Sequence, residues 1–448
     1  MPERDADNHR TRPRVVIVGG GFAGYHTART LTRRLGDRVD VLVVNPTDYF
    51  LYVPLLPEVA AGVLEPRRIS ISLSAALPGV RLALGEVDEI DLKRRRVGWH
   101  DPEGGRGEAS YDRLVLAAGS VNKLLPIPGV AEHAHGFRGI PEALYLRDHL
   151  TRQVELAAAS PDPAEREARC TFVVVGAGYT GTEVAAQGPL LTDAVARTHE
   201  TLHGQPMRWM LLDLAPRVLP ELDERLSITA DRVLRQRGVE VRTGQSVAEA
   251  TATGVRLTTG EFVPTRTLVW CVGVRPDPLV DGLGLPTVKG RLVVDEYLQV
   301  PGQSAVYACG DAAAVPDCCR PGEITPMTAQ HAVRQGKLAG RNVAASLGVG
   351  IPGRYRHHDL GFLVELGGAE AAANPLHVPL SGLPAKILTR AFHLLSMPEM
   401  SNRVRTAADW VLDALLPRQT VQLGLVRSPQ IPLESASPEV ARLPGVVG

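Results

Sequence analysis

The chain of 448 residues has room for about three domains at ~150 residues each, so it can bury several cores. Hydrophobic residues make up 44% and charged residues 22%, and Lys plus Arg equals Asp plus Glu at 49 each, which leaves a formal net charge of zero. That balance offers no global electrostatic reason to bind nucleic acid, and with 4% aromatics few platforms exist for stacking single-stranded bases.

No run approaches the ~20 consecutive apolar residues of a spanning helix. The five cysteines (Cys170, Cys271, Cys309, Cys318, Cys319) are odd in number and form no CxxC pair. A disulfide framework or zinc centre is therefore not expected, and reduced thiols in a cytoplasmic protein are the expectation. Residues 1–13 are charged and lack an apolar stretch, so they read as a disordered lead without a secretory signal. Residues 427–448, rich in Pro and Ser, read as a flexible tail.

The first ordered segment is RVVIVGGGFAGYHTARTLTRRLGDRVDVLVVN. Val15 to Val18 form a β-branched run of the kind a buried parallel strand uses. Gly19, Gly21 and Gly24 then spell G-x-G-x-x-G, a helical pattern follows, and a second apolar run closes a βαβ unit. The first glycine permits a tight turn, the second lets backbone N–H groups approach a pyrophosphate, and the third lets helix and strand pack closely. The unit returns in TFVVVGAGYTGTEVAAQ with Gly176, Gly178 and Gly181, followed by the strand RWMLLD after a longer helix or excursion through 188–207. Two complete copies predict two bound dinucleotides, and an enzyme holding two passes electrons between them.

The strand end after each motif bears on which cofactor goes where. Asp213, in the second copy, can bond both ribose hydroxyls and repel a 2′-phosphate, which favours NADH; the alternative is a solvated strand-end acid. Asn45, in the first copy, carries no charge, as suits a permanently held FAD. Small-residue turns at Ala118-Gly119 and Gly273 mark the chain returning to its sheet beside each dinucleotide. In SAVYACGDAAAV, Gly310 allows close approach, Asp311 is a candidate acceptor for a ribityl hydroxyl, and Cys309 reads as a small buried hydrophobe. ITPMTAQHAVRQGKLAGRNVAASL reads as a helix with Thr325 as N-cap and Pro326 at its first position.

Together these residues resemble the two-dinucleotide-binding flavoproteins, and within them the type II NADH dehydrogenases, single-subunit NADH:quinone oxidoreductases. The resemblance runs from about Arg14 to Leu425 and rests on VVIVGGGFAG, NPTDYFLYVPLLPEVAAGVLEPRRIS, VVVGAGYTGTEVA, LLDLAPRVLPELD, YACGDAA and TAQHAVRQGK. It implies an α/β fold of two Rossmann-like domains in a glutathione-reductase-like architecture, with a C-terminal amphipathic helical region. It also implies FAD on the first cofactor domain, NADH on the inserted one, and a quinone as electron acceptor. Glu183 matches the family glutamate placed near the nicotinamide, able to orient the ring or relay a proton to reduced quinone. Gln330 matches the glutamine that approaches flavin and quinone headgroup, with His331 and Arg334 in the same pocket. Arg334 stands where the family usually has a second glutamine, Asn45 where an acid is common, and Val53 and Glu58 where glutamines are common. The absence of cysteine between 45 and 69 sets the chain apart from the flavoprotein disulfide reductases, and Cys318-Cys319 reads as a surface loop feature.

The expected organisation is an FAD-binding domain in two parts (14–150 and 279–380), an inserted NADH-binding domain (151–278) and a C-terminal module (381–426). Leu383, Ile387, Leu388, Ala391, Phe392 and Leu395 recur at helical spacing, with Lys386, Arg390 and His393 on another face. Val404, Ala407, Val411 and Leu415 form a second stripe near Trp410. As in the family, such helices suit docking at 383–416 to the membrane surface that holds the quinone; the alternative is a helical pair closing a homodimer or covering the core. The resulting expectation is a homodimeric, peripheral enzyme on the inner face of the cell membrane. It takes hydride from NADH and gives two electrons to quinone in ping-pong order, without proton pumping. Two other readings stay open here: a soluble NAD(P)H-dependent flavoprotein reductase of another acceptor, and a cofactor-bearing regulator with incidental turnover. No metal is expected; the adjacent His357 and His358 have no acidic partners in sequence.

Overall fold

The computed structural model describes residues 12–357 and 361–426; residues 1–11, 358–360 and 427–448 lie outside the described residues. The chain forms two compact units. One comprises Met1–Leu51, Ser70–Val121 and Arg275–His358, the other Tyr52–Ile69, Asn122–Val274 and Asp359–Gly448. Residues 122–150 and 361–380, grouped by sequence with the first cofactor domain, cluster with the second unit.

The first unit is built on a five-stranded parallel sheet in the order Val306–Ala308, Arg113–Leu116, Arg14–Val18, Asp40–Asn45, Val80–Leu84. Val16 pairs with Leu42 on one side and Leu114 on the other. Val15, Val16 and Ile17 are fully buried, which is why this strand reads as a continuous β-branched run. The crossover helix Phe22–Leu35 buries Tyr25, Ala28, Leu31 and Leu35 at helical spacing and ends at Gly36. It packs along helix Ala329–Ser346, where small residues bring the backbones close: a Cβ on Gly336 would lie 2.2 Å from the Ala23 carbonyl.

Thr328, not Thr325, caps that second helix, accepting from the His331 N–H. Thr325 is fully buried and its hydroxyl accepts instead from Gln335 Nε2 at 2.9 Å. Pro326 restricts Thr325 to extended backbone, so the helix starts one short loop later than the Thr-Pro signal implies.

The second unit repeats the plan: His135–Gly136, Thr267–Trp270, Thr171–Val175, Arg208–Asp213 and Val239–Thr243, all parallel. Its crossover helix spans Tyr179–Ala196 despite an internal Pro189. Proline has no N–H for the helical ladder, and nearby the Arg237 guanidinium donates to the Ala186 carbonyl at 2.6 Å.

The second unit also carries the C-terminal part. Strand Ala371–Ala373 pairs antiparallel with Leu363–Glu365 and Leu380–Ser381, and Ala385 of helix Gly382–Ser396 closes on it. Helix Met400–Leu415 follows, then an extended stretch whose Leu423 and Gly424 N–H groups donate to the Asp148 carboxylate at 3.0 and 2.7 Å.

The two C-terminal helices turn their apolar stripes outward and the face carrying Lys386 and His393 inward. Lys386, Thr389, His393, Thr406 and Trp410 are buried, whereas Leu383, Ile387, Leu395, Val404, Val411 and Leu415 are exposed. The polar side faces inward because the interior holds carboxylates that need partners. No helix among the described residues is long and apolar enough to cross a membrane.

Candidate functional site

In each sheet the strand order reverses beside the strand that carries the glycine motif, which opens a crevice at the carboxyl ends of the strands. Gly19 (φ 95°) and Gly176 (φ 100°) occupy matching left-handed turns. A Cβ on Gly19 would lie 2.3 Å from the Ala117 carbonyl oxygen, and one on Gly176 would lie 2.2 Å from that of Cys271. Gly24 and Gly181 let each helix sit on its own turn, since a Cβ at either would stand 1.8 Å from the carbonyl oxygen of Gly19 or Gly176.

The middle glycines behave differently. Nothing lies within 4 Å of a Cβ built on Gly21 or Gly178. Both are helix N-caps without a side-chain cap, and neither helix has an acidic residue in its first turn. Uncapped N–H groups, positive dipole ends and open space are what a pyrophosphate requires. The residues present therefore fit a dinucleotide in each unit.

Asn45 and Asp213 make the same tie in the two copies. Asn45 Oδ1 accepts from the Gly20 N–H at 2.7 Å, and Asp213 Oδ2 accepts from the Ala177 N–H at 2.5 Å. Asp213 Oδ1 also accepts from the Ala215 N–H at 2.7 Å. Both strand-end residues brace the phosphate-binding turn, a role the sequence reading did not give them. Each oxygen of Asp213 keeps a second lone pair for a ribose hydroxyl. Gly119 and Gly273, both with positive φ, receive the Asp277 and Lys123 N–H groups on their carbonyls in corresponding fashion.

Elsewhere in the first unit the Ser120 hydroxyl donates to Asp311 Oδ2 at 2.5 Å. The Gly310 N–H donates to Gln335 Oε1 at 2.8 Å. Gln335, not singled out from sequence, thus ties the Gly310-Asp311 turn to Thr325. Arg291 is buried, donates Nη1 to the Thr325 carbonyl at 2.6 Å, and leaves Nε and Nη2 without a partner. Burial lowers its pKa although Asp311 pulls the other way. Two buried donors without acceptors suit a ligand rich in acceptors, such as FAD.

Gln330 and Arg334 are half-buried neighbours, with Arg334 Nη1 donating to the Gln330 carbonyl at 3.2 Å. His331 is buried, its Nδ1 lies 2.7 Å from the Tyr355 hydroxyl, and burial holds its pKa down at about 4. It is a neutral imidazole bound to a tyrosine.

Glu183 belongs to a cluster that the sequence did not reveal. It is 8% exposed, Glu58 and Glu365 are each 2% exposed, and Lys386 is 4% exposed. Glu183 Oε1 accepts from the Glu365 N–H at 2.9 Å, while the Glu365 carboxylate pairs with the Lys386 ammonium. Glu58, on the short helix Leu56–Ala60, accepts from the Trp410 indole N–H, and Arg390 lies over that indole ring at 4.8 Å. Three buried carboxyls share one buried ammonium, so they cannot all be ionised without a large cost. Burial, with repulsion from Glu365 and Glu58, pushes Glu183 well above the usual carboxylate range. Burial and the Glu365 charge raise Glu58 to about 7, against the pull of Lys386, Trp410 and Arg390. Gln187, one turn beyond Glu183, is buried with neither amide atom partnered by protein. Glu365 and Lys386 stand about two hundred residues from Glu183, and no local spacing in the chain announces them.

The thiols play no part in these arrangements. Burial pushes Cys170 up to about 11 and Cys271 and Cys309 up to about 12, and Cys318 and Cys319 are exposed. No group of His, Cys, Asp or Glu among the described residues could hold a metal ion.

Two nucleotide cradles on two parallel sheets define a pyridine-nucleotide flavoprotein. The family model for pyridine nucleotide-disulphide oxidoreductases matches residues 13–336. The type II NADH:quinone oxidoreductase Ndh of Mycobacterium tuberculosis is 30% identical over 424 residues, covering 91% of this chain and 89% of that protein. NdhA of the same organism, also a type II NADH:quinone oxidoreductase, is 31% identical over 418 residues, covering 89% of this chain and 86% of its own length. The structure of NDH2 from Plasmodium falciparum in complex with NADH has the same fold, with a TM-score of 0.82 at 17% identity over 92% of this chain and 100% of that one. The chain belongs to the pyridine nucleotide-disulphide oxidoreductases and, within them, to the type II NADH:quinone oxidoreductases.

Proposed function

We propose, on the strength of this membership and of a complete nucleotide cradle in each unit, that the chain is an FAD-dependent NADH:quinone oxidoreductase that does not pump protons. The observation that carries this reading is the pair of uncapped, open helix N-termini at Gly21 and Gly178. FAD, when bound, supplies a two-electron carrier that accepts hydride from NADH and reduces quinone. The residues do the holding and the proton work.

Gly19, Gly21 and Gly24 hold the FAD pyrophosphate, with Asn45, Ala118, Gly119, Gly310 and Asp311 around it. Gly176, Gly178, Gly181 and Gly273 hold NADH, and the charge of Asp213 excludes a 2′-phosphate. Reducing a quinone with NADH takes up one proton per turnover. Glu183, whose pKa burial and the neighbouring Glu365 and Glu58 charges push well above the usual carboxylate range, is the group proposed to deliver that proton. Gln330 bonds a quinone carbonyl, and Arg334 beside it favours the developing negative charge.

The membrane reading is supported by the exposed apolar side chains of the two C-terminal helices, from Leu383 to Leu415. On that reading the enzyme sits peripherally on the inner face of the cell membrane as a homodimer and meets its quinone there. Steady-state rates measured with NADH and a short-chain menaquinone test the function. Parallel double-reciprocal lines and bound FAD are expected. A ternary-complex pattern, or NADH oxidation that quinone does not accelerate, would overturn the ping-pong reading.

A further inference from the structure

The second unit holds a cavity of about 760 Å³ bounded by the helix carrying Glu183, the Gly368-Ala369 turn, both C-terminal helices and the extended stretch after them. Its walls carry Arg197, Lys386, Arg390 and Arg418 against a single carboxylate, Asp413. Lys386 is committed to Glu365, and Arg418 reaches Asp413 at 3.3 Å. Arg197 has Asp193 beside it. Even so, two guanidinium atoms are left over: Arg390 Nε and Arg418 Nη1 are buried and meet no acceptor. Buried N–H groups of this kind are costly unless an acceptor arrives. The Arg390 guanidinium carbon lies 4.8 Å from the centre of the Trp410 ring, a cation–π contact that holds the group beside the cavity.

The rim has the opposite chemistry. Leu383 lines the cavity and is 58% exposed, Ile387 one turn further along the helix is exposed too, and the exposed Leu415 and Leu416 lie in the chain between the lining residues Ala414 and Pro417. A ligand matching both parts carries an anionic group with several acceptor oxygens and a hydrocarbon portion. A free anion leaves the apolar rim uncovered, and a neutral quinone leaves the cations unmatched.

We propose that this cavity is a headgroup site for an anionic phospholipid, whose phosphodiester takes the free N–H groups of Arg390 and Arg418 while its acyl chains lie along Leu383 and Ile387. The proposal rests on the membrane reading above and adds to it a defined charge-selective site. It makes the lipid a structural partner of the helix that carries Lys386.

Flotation of the full-length, FAD-loaded protein tests it, using vesicles of phosphatidylcholine alone and vesicles mixed with phosphatidylglycerol. Wild type is expected to prefer the mixed vesicles. Replacing Arg197→Gln and Arg418→Gln together is expected to remove about 30-fold of that preference, at roughly fivefold for each cation near an anionic surface, while binding to neutral vesicles is unchanged. Arg197→Gln alone, at an exposed position, gives a variant whose folding is not at stake and should lose about fivefold. Full preference in both variants would overturn the site. Equal binding of wild type to both vesicles would overturn it too while leaving the membrane reading standing. No flotation with either would show that the membrane reading itself has failed.

Discussion

The main-chain N–H of Glu365 donates to the Glu183 carboxylate at 2.9 Å, and the side chain of the same Glu365 holds Lys386. One residue thus orients the proposed proton donor with its backbone and recruits the only buried ammonium of the cluster with its side chain. Lys386 is engaged by Glu365, so Glu183 has a hydrogen bond but no counterion of its own. That combination, with burial, pushes its pKa well above the usual carboxylate range.

Replacing Glu183→Gln keeps the shape and the Glu365 contact but removes the transferable proton. Turnover with quinone is expected to fall about 10- to 100-fold, within the span of general acid–base contributions. FAD content and the rate of flavin reduction by NADH should hardly change. Equal loss in both half-reactions would mean that Glu183 orients the nicotinamide instead.

Glu58 makes stability depend on pH. Its folded value is about 7 against an ordinary value of 4.5, so between those values the folded protein keeps a proton that the unfolded chain has released. Stability therefore falls as pH rises through that window and levels off above it. Glu58→Gln still offers an oxygen to Trp410 and should flatten the slope, gaining roughly 2 kcal/mol at about pH 8 relative to about pH 5. Urea denaturation at the two pH values measures this, and parallel curves for the two proteins would show that Glu58 is not the titrating group.

The shared role of Asn45 and Asp213 separates bracing from charge. Asp213→Asn preserves acceptors on the turn as Asn45 does in the first copy, so NADH binding should survive. Discrimination against NADPH should drop by about tenfold or more, because the repulsion of a 2′-phosphate is gone. Asp213→Ala should lose affinity for both nucleotides. An unchanged NADH to NADPH ratio in Asp213→Asn would refute the ribose assignment.

Lys386→Met leaves Glu365 buried without its cation, and unfolding free energy is expected to fall by about 3–5 kcal/mol. Adding Glu365→Gln removes the stranded charge and should recover much of that loss. A double-mutant cycle by chemical denaturation measures the coupling, and strictly additive losses would contradict a shared ion pair.

The nucleotide cradles were legible in sequence because their signature is local: a β-branched strand, three glycines at fixed spacing and an amphipathic helix lie in one continuous stretch, even though Gly19 and Gly176 also meet the distant Ala117 and Cys271 carbonyls. The carboxylate cluster was not, since Glu58, Glu183, Glu365 and Lys386 meet only through tertiary packing. For the same reason the spacing put Lys386 and His393 on a face apart from the apolar stripe without revealing that this face is buried beside Glu365 and Tyr52. Gln335 was passed over because attention fell on Arg334, the departure beside it. The Thr325 cap was misplaced by three residues because a Thr-Pro pair looks the same whether the threonine caps a helix or is buried to receive Gln335.

The measurement that goes most directly to the central claim is anaerobic stopped-flow spectroscopy of the yellow protein with one equivalent of NADH, followed by a menaquinone analogue. Rapid bleaching of the flavin, then equally rapid return of colour on adding quinone, is the predicted result, with only the second phase slowed in Glu183→Gln. No bleaching would contradict the NADH cradle at Gly176–Gly181, and bleaching that quinone cannot reverse would contradict the quinone reductase assignment.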